Sequence, residues 1–206
     1  MSDVRAVGQW RNNADLIADV ARLGYLDGTV LDVTYGEGAF WRVYSPPGLI
    51  TNDLHKANPN ELHDDYRALS FEDNAVDAVV FDPPYRMSGR RDRDAFDARY
   101  GLEEYRGNDD ILGDLIAGSL EGLRVSRSYL LVKCQDQVNG GRVRWQTDIV
   151  TRSVEDAGGH KVDRFDLVTS PRGQPSDRRQ RTARRNHSTL LVFTKERRRI
   201  YRKGDL

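Results

Sequence analysis

The sequence predicts a doubly wound α/β sheet with an antiparallel edge. Three observations carry this reading. Short apolar stretches alternate with segments of helical periodicity, the order expected of successive strand–helix units. Those stretches lack polar alternation, as strands buried on both faces of a parallel sheet do. The chain closes on two strand-like runs, "KVDRFDLV" and "HSTLLVFTK", with no helix between them.

In chain order, "ADLIADVARLGYL" spaces Leu16, Ile17, Val20 and Leu23 at helical intervals, and Gly24 follows where a helix stops. "GTVLDVTYGEGAFW" reads as a buried strand from Thr29 to Val33, a glycine turn and a helical start. "GLITND" is a second strand closing on Asp53, and "AVDAVVFD" a third closing on Asp82. "NDDILGDLIAGSLEGL" puts Ile111, Leu112, Leu115, Ile116, Leu120 and Leu123 on one helical face, with Asn108 as cap and Asp109 and Asp110 in the first turn. "SYLLVKC" is a further strand, and "VRWQTDIVTRSVEDAGG" a helix ending at its glycine pair. No internal repeat is visible.

The 206 residues suffice for one well-buried core, and a single domain over 1–206 is expected, with no separate target-recognition domain. Lys and Arg total 32, as do Asp and Glu, so attraction to an acidic partner must come from local patches. One cysteine, Cys134, excludes an internal disulfide and reads as a buried thiol. Without a signal-like segment or a membrane-length apolar run, a cytoplasmic location and no membrane partner are expected. The four histidines lack ligand spacing, so no metal is expected.

Ligands of such sheets bind beyond the carboxyl ends of the strands. The residues that matter therefore follow the strands: Asp32 to Gly38, Asp53, Asp82 to Tyr85, and those after Cys134. The loop Asp32, Thr34, Tyr35, Gly36, Glu37, Gly38 does not fit a dinucleotide, because Trp41 stands where a third glycine belongs and Glu37 would repel a diphosphate. A cationic ligand with a ribose and no phosphate suits these acids, with Asp53 accepting from the ribose hydroxyls. S-adenosylmethionine has that character.

In "AVDAVVFDPPYRM", Pro83 and Pro84 stiffen the strand exit and remove two donors, presenting the Asp82 carboxylate and the Pro83 carbonyl as acceptors. Two fixed acceptors match the NH2 group of a nucleobase, whose lone pair is delocalised into its ring. Holding both hydrogens favours a pyramidal nitrogen, and the Asp82 charge stabilises the cation that develops on it. Tyr85 can stack on the base.

On "DVTYGEG" and Asp82-Pro83-Pro84-Tyr85, the chain resembles the S-adenosylmethionine-dependent DNA amino-methyltransferases that act on adenine N6 or cytosine N4. The resemblance covers nearly the whole chain and implies a seven-stranded, Rossmann-like methyltransferase sheet with an antiparallel terminal strand pair. It also implies that Asp32, Gly36 and Gly38 contact the methionine part, Asp53 the ribose and Asp65 the adenine, with Asp82 and Tyr85 carrying catalysis. Aspartate at the first catalytic position leans towards adenine. RNA adenine or cytosine N4 methylation uses the same chemistry, and a catalytically inactive nucleic-acid-binding subunit keeps the same surface.

Nucleic acid, DNA in the leading reading, would be held by arginines: Arg86, Arg90, Arg91 and Arg93 after the catalytic motif, and Arg172, Arg178, Arg179, Arg181, Arg184 and Arg185 between the last two strands. A duplex target base must be flipped out to reach Asp82 and Tyr85. Recognition falls to loops or to another chain, whether a second copy or a partner subunit.

Overall fold

The computed structural model describes residues 10–54, 62–87, 108–139, 142–168, 182–183 and 185–196. Its elements are α1 (Asn13–Arg22), β1 (Thr29–Asp32), a 3-10 turn (Ala39–Trp41), β2 (Gly48–Thr51), β3 (Val76–Phe81), α2 (Asn108–Val125), β4 (Ser126–Cys134), β5 (Gln137–Asn139), β6 (Arg142–Arg144), α3 (Gln146–Asp156), β7 (His160–Val168) and β8 (His187–Thr194). The main sheet has six strands in the order β2-β1-β3-β4-β8-β7, and β5 and β6 form a separate hairpin. Strands β2, β1, β3 and β4 run parallel, while β8 is antiparallel to both β4 and β7.

Helices cover both faces, as all-apolar strands require. On one face Val30, Ala78, Val80, Leu131, Leu190 and Val192 pack against Leu16, Ile17 and Val20 of α1 and against Phe40 and Trp41. On the other, Val79, Phe81, Leu130 and Val132 meet Leu115 and Leu123 of α2 and Val150 and Val154 of α3. Asn12 caps α1 by accepting from the Asp15 N–H at 2.9 Å, and Trp10 Nε1 donates to the buried Asp19 at 2.9 Å. Gly118 lets α2 approach the sheet closely, since a Cβ there would lie 2.4 Å from the Phe81 ring.

Three expectations change. Among the described residues the main sheet has six strands, not seven; beyond β2 a single parallel bridge joins Asn52 to Leu62. The acidic run after it, "HDDYR", has little to bury on a sheet face. The helical start after the glycine loop is only the Ala39–Trp41 turn, and Pro46 and Pro47 follow closely. Val143 and Arg144, read as helix, belong to β6, and α3 begins at Gln146.

Candidate active site

The glycine loop is fixed from beneath by carboxylates. Asp32, at the tip of β1, is buried, and its oxygens accept from the Thr34 N–H at 3.0 Å and from Trp41 Nε1 at 2.7 Å. Burial raises its pKa to about 7; those two hydrogen bonds oppose the shift, and the nearby charges of Asp82 and Asp53 add to it. Asp53 accepts from the Gly36 N–H at 2.9 Å, so the carboxylate expected at the ribose also holds the loop. Tyr35 donates its N–H to Asn52 O at 3.0 Å. Gly38 has φ 65°, and a Cβ there would strike the Tyr35 hydroxyl at 2.6 Å, so both backbone and space demand glycine. Glu37 is exposed at the crest.

These residues fit a phosphate-free cationic cofactor. Asp32, Glu37 and Asp53 surround a loop whose amides are partly engaged by its own carboxylates, the reverse of a phosphate cradle. The Asp65 carboxylate receives the Arg67 backbone N–H and guanidinium, at 2.6 Å for the shortest bond, and Arg67 also reaches Asp114.

The Asp82-Pro83-Pro84-Tyr85 turn is joined directly to this loop. The Asp82 N–H donates to Thr34 Oγ1 at 2.8 Å, so the residue expected to line the cofactor also sets the start of the Asp82-Pro83-Pro84-Tyr85 turn. The Tyr85 N–H donates to Pro83 O at 2.7 Å, which leaves that carbonyl one further lone pair for a substrate amine. The Tyr85 carbonyl accepts from Gln137 Nε2 at 2.7 Å and Gln146 Nε2 at 2.8 Å, while Gln137 Oε1 accepts from the Met87 N–H at 3.0 Å. Two side-chain amides from beyond β4 thus clamp the turn. Asp82 and Tyr85 keep part of their surface open, whereas Pro83 is buried.

Sequence reasoning passed over Lys133. Val80 and Leu131 are register partners on the face covered by α1, so two residues further on Asp82 and Lys133 emerge beside each other on that face. Lys133 is 1% exposed; its Nζ donates to Asn13 Oδ1 and lies 5.3 Å from the centre of the Phe40 ring. Burial pushes the Asp82 carboxyl up and the Lys133 ammonium down, and each restrains the other's shift. The signal was a lysine at the tip of an otherwise apolar strand.

Of the arginines expected at nucleic acid, Arg86 is exposed beside the catalytic turn and Arg185 stacks over Trp145 with its guanidinium carbon 4.8 Å from the ring centre. Arg90, Arg91, Arg93, Arg172, Arg178, Arg179, Arg181 and Arg184 lie outside the described residues. Cys134 is buried, and burial pushes its thiol up, away from the reactive thiolate. No helix among the described residues is long and apolar enough to cross a membrane.

No protein-family model matches the chain, and no curated protein matches it. Solved structures do. Magnesium protoporphyrin IX methyltransferase from Synechocystis PCC 6803, solved with bound S-adenosylmethionine, superposes with a TM-score of 0.53 at 11% identity, over 89% of this chain and 78% of that one. An S-adenosylmethionine-dependent methyltransferase from Methanosarcina mazei gives 0.50 at 12% identity, over 85% and 96%. Against a candidate DNA modification methylase from Thermus thermophilus the TM-score is 0.43 at 18% identity, and the match covers 68% of this chain but only 53% of that one. The chain has the Rossmann-like α/β fold of the S-adenosylmethionine-dependent methyltransferases.

Proposed function

We propose that this protein transfers a methyl group from S-adenosylmethionine to the exocyclic amine of a nucleobase, adenine N6 in DNA. The observation that carries the reading is the turn Asp82 to Tyr85, pinned at one end by Thr34 of the glycine loop and at the other by Gln137 and Gln146. Cofactor loop and acceptor turn are thereby held as one rigid unit, which is what a reaction driven by positioning requires.

Within that unit Asp82 accepts one hydrogen of the amine and the Pro83 carbonyl the other. The Asp82 charge offsets the positive charge that develops on nitrogen, and the carboxylate is the nearest base for the proton that must leave. Tyr85 stacks on the base, worth roughly 1–3 kcal/mol. Asp32, Gly36 and Gly38 take the methionine part and Asp53 the ribose; when bound, S-adenosylmethionine supplies the electrophilic methyl group. Arg86 and the arginines between β7 and β8 hold the nucleic-acid backbone.

The test is incubation of the full chain with labelled S-adenosylmethionine and matched pools of DNA, RNA and protein, followed by mass analysis of nucleosides and peptides. N6-methyladenine in DNA is expected, with Asp82→Ala losing roughly 100-fold or more of the rate while still binding the cofactor. Label in RNA or on cytosine N4 would reassign the target; label in protein, or full activity in Asp82→Ala, would overturn the assignment.

A further inference from the structure

A cleft of about 410 Å3 opens near the starts of β8 and α3, on the side of the sheet away from the glycine loop, lined by Asp136, Trp145, Asp148, Arg164, Arg185 and His187. Trp145 is 45% exposed, whereas Trp10 and Trp41 are buried at 3% and 7%. Leaving so large an apolar ring in water is unfavourable unless something covers it. The Arg185 guanidinium lies over that ring, and its Nε has no hydrogen-bond partner among the described residues.

The other charged groups of the cleft are accounted for more fully. Asp136 is buried and turned into the protein, accepting from the Thr147 N–H and hydroxyl at 3.0 Å each. Arg164 donates to Asp166 at 3.0 Å. What the cleft offers a ligand is the exposed indole of Trp145, the Arg185 guanidinium and the imidazole of His187. Asp148 bars an anion from the α3 side, so a phosphate must lie towards Arg185 and His187.

The cleft is built into the scaffold that holds the catalytic turn. Trp145 immediately precedes Gln146, whose side chain holds the Tyr85 carbonyl and also accepts from the Gln135 N–H at 3.2 Å. Asp136 lies between Gln135, which donates to the Arg185 carbonyl at 3.3 Å, and Gln137, the second amide on Tyr85. The residue that follows Trp145 is therefore bonded directly to the turn that would hold the target base.

From this geometry we infer that the cleft takes the nucleotide next to the target, its base stacked on Trp145 and its phosphate on Arg185. The inference rests on the nucleobase-methyltransferase reading and adds to it where the polymer runs after leaving the Asp82 pocket. Stacking on a flat ring is tolerant of sequence, so the cleft contributes affinity and register more than base choice.

The test uses the full chain, Trp145→Ala and Trp145→Phe, with single-stranded DNA and RNA oligonucleotides of matched sequence containing one adenine. Kd is read by anisotropy of the labelled oligonucleotide, and kcat and KM by methyl transfer. Trp145→Ala should raise Kd and KM together by roughly 5- to 100-fold with kcat little changed, and Trp145→Phe should retain most of the affinity. Because the other two tryptophans are buried, oligonucleotide should quench the indole emission of the parent but not of Trp145→Ala. The tighter of the DNA and RNA arms identifies the polymer. If Kd and KM of Trp145→Ala stay within twofold of the parent while methyl transfer proceeds, the cleft assignment falls and the enzymatic reading stands. If oligonucleotide quenches the parent but no base is methylated, Trp145 touches nucleic acid, but the enzymatic reading falls and with it the assignment of the cleft to a nucleotide next to a target. Absence of both binding and quenching overturns both.

Discussion

Asp82 and Lys133 stand side by side at the tips of β3 and β4, one residue beyond the register pair Phe81 and Val132, on the sheet face that α1 covers. Burial drives both groups towards neutrality, and each opposes the other's shift. Lys133 Nζ is anchored by Asn13 rather than by solvent, which fixes its position beside the carboxylate.

Replacing Lys133 by Met should therefore move the acid limb of the pH–rate profile to higher pH. Asp82 acts as the anion, burial already raises its pKa, and loss of the neighbouring cation removes what holds it down. Lys133→Arg keeps the charge and should keep the limb closer to that of the parent. The measurement is kcat/KM against pH for parent and both variants, with cofactor affinity as control. A limb that Lys133→Met leaves in place would show that the two groups are not coupled in function.

Asp32→Asn should stabilise the fold at alkaline pH. A carboxyl raised from 3.8 to about 7 is easier to bury protonated, so its favourable contribution is complete below pH 3.8 and is lost as pH rises through 7. The corresponding cost above pH 7 is on the order of 4 kcal/mol. Asparagine carries no charge to desolvate, and its carbonyl oxygen can still accept one of the two bonds. Urea unfolding midpoints at pH 5 and pH 8.5 should differ less for Asp32→Asn than for the parent, with the gain at pH 8.5. The same change should weaken binding of a cationic cofactor above pH 7, where the parent is ionised.

Thr34→Val keeps the shape of the side chain and removes the oxygen that receives the Asp82 N–H. Leaving that partly buried donor unpaired should cost about 1–3 kcal/mol in unfolding free energy and lower the methyl-transfer rate, while Thr34→Ser should restore both. Differential denaturation alongside single-turnover rates tests this. Parent-like values of both in Thr34→Val would mean that Thr34 does not set the turn.

The strands were legible because each is a nearly unbroken apolar run, and Asp32, Asp53 and Asp82 were legible because each sits where such a run stops. Lys133 was passed over: "LLVKC" shows a lysine at the tip of an apolar strand, but that it stands beside Asp82 follows only from the register of β4 against β3. Gln137 and Gln146 reach Tyr85 across 52 and 61 residues, a separation with no local signature. The β5–β6 hairpin did leave one, since "QVNGGRVR" sets Asn-Gly between two short runs containing valine. The pairing of Asp65 with Arg67, two residues away, went unread although a guanidinium at that spacing can take a carboxylate by short local bonds.

The two borders of the sheet are built unequally. β2 spans only Gly48–Thr51, none of it fully buried, and carries one lone bridge on its outer side, whereas β7 runs along β8 from His160 to Val168. Amide protons near β2 should exchange with solvent sooner than those of β4 and β8. The sheet should therefore open first at its β2 margin, on the Asp53 side, while the long β7–β8 pairing at the other border stays closed.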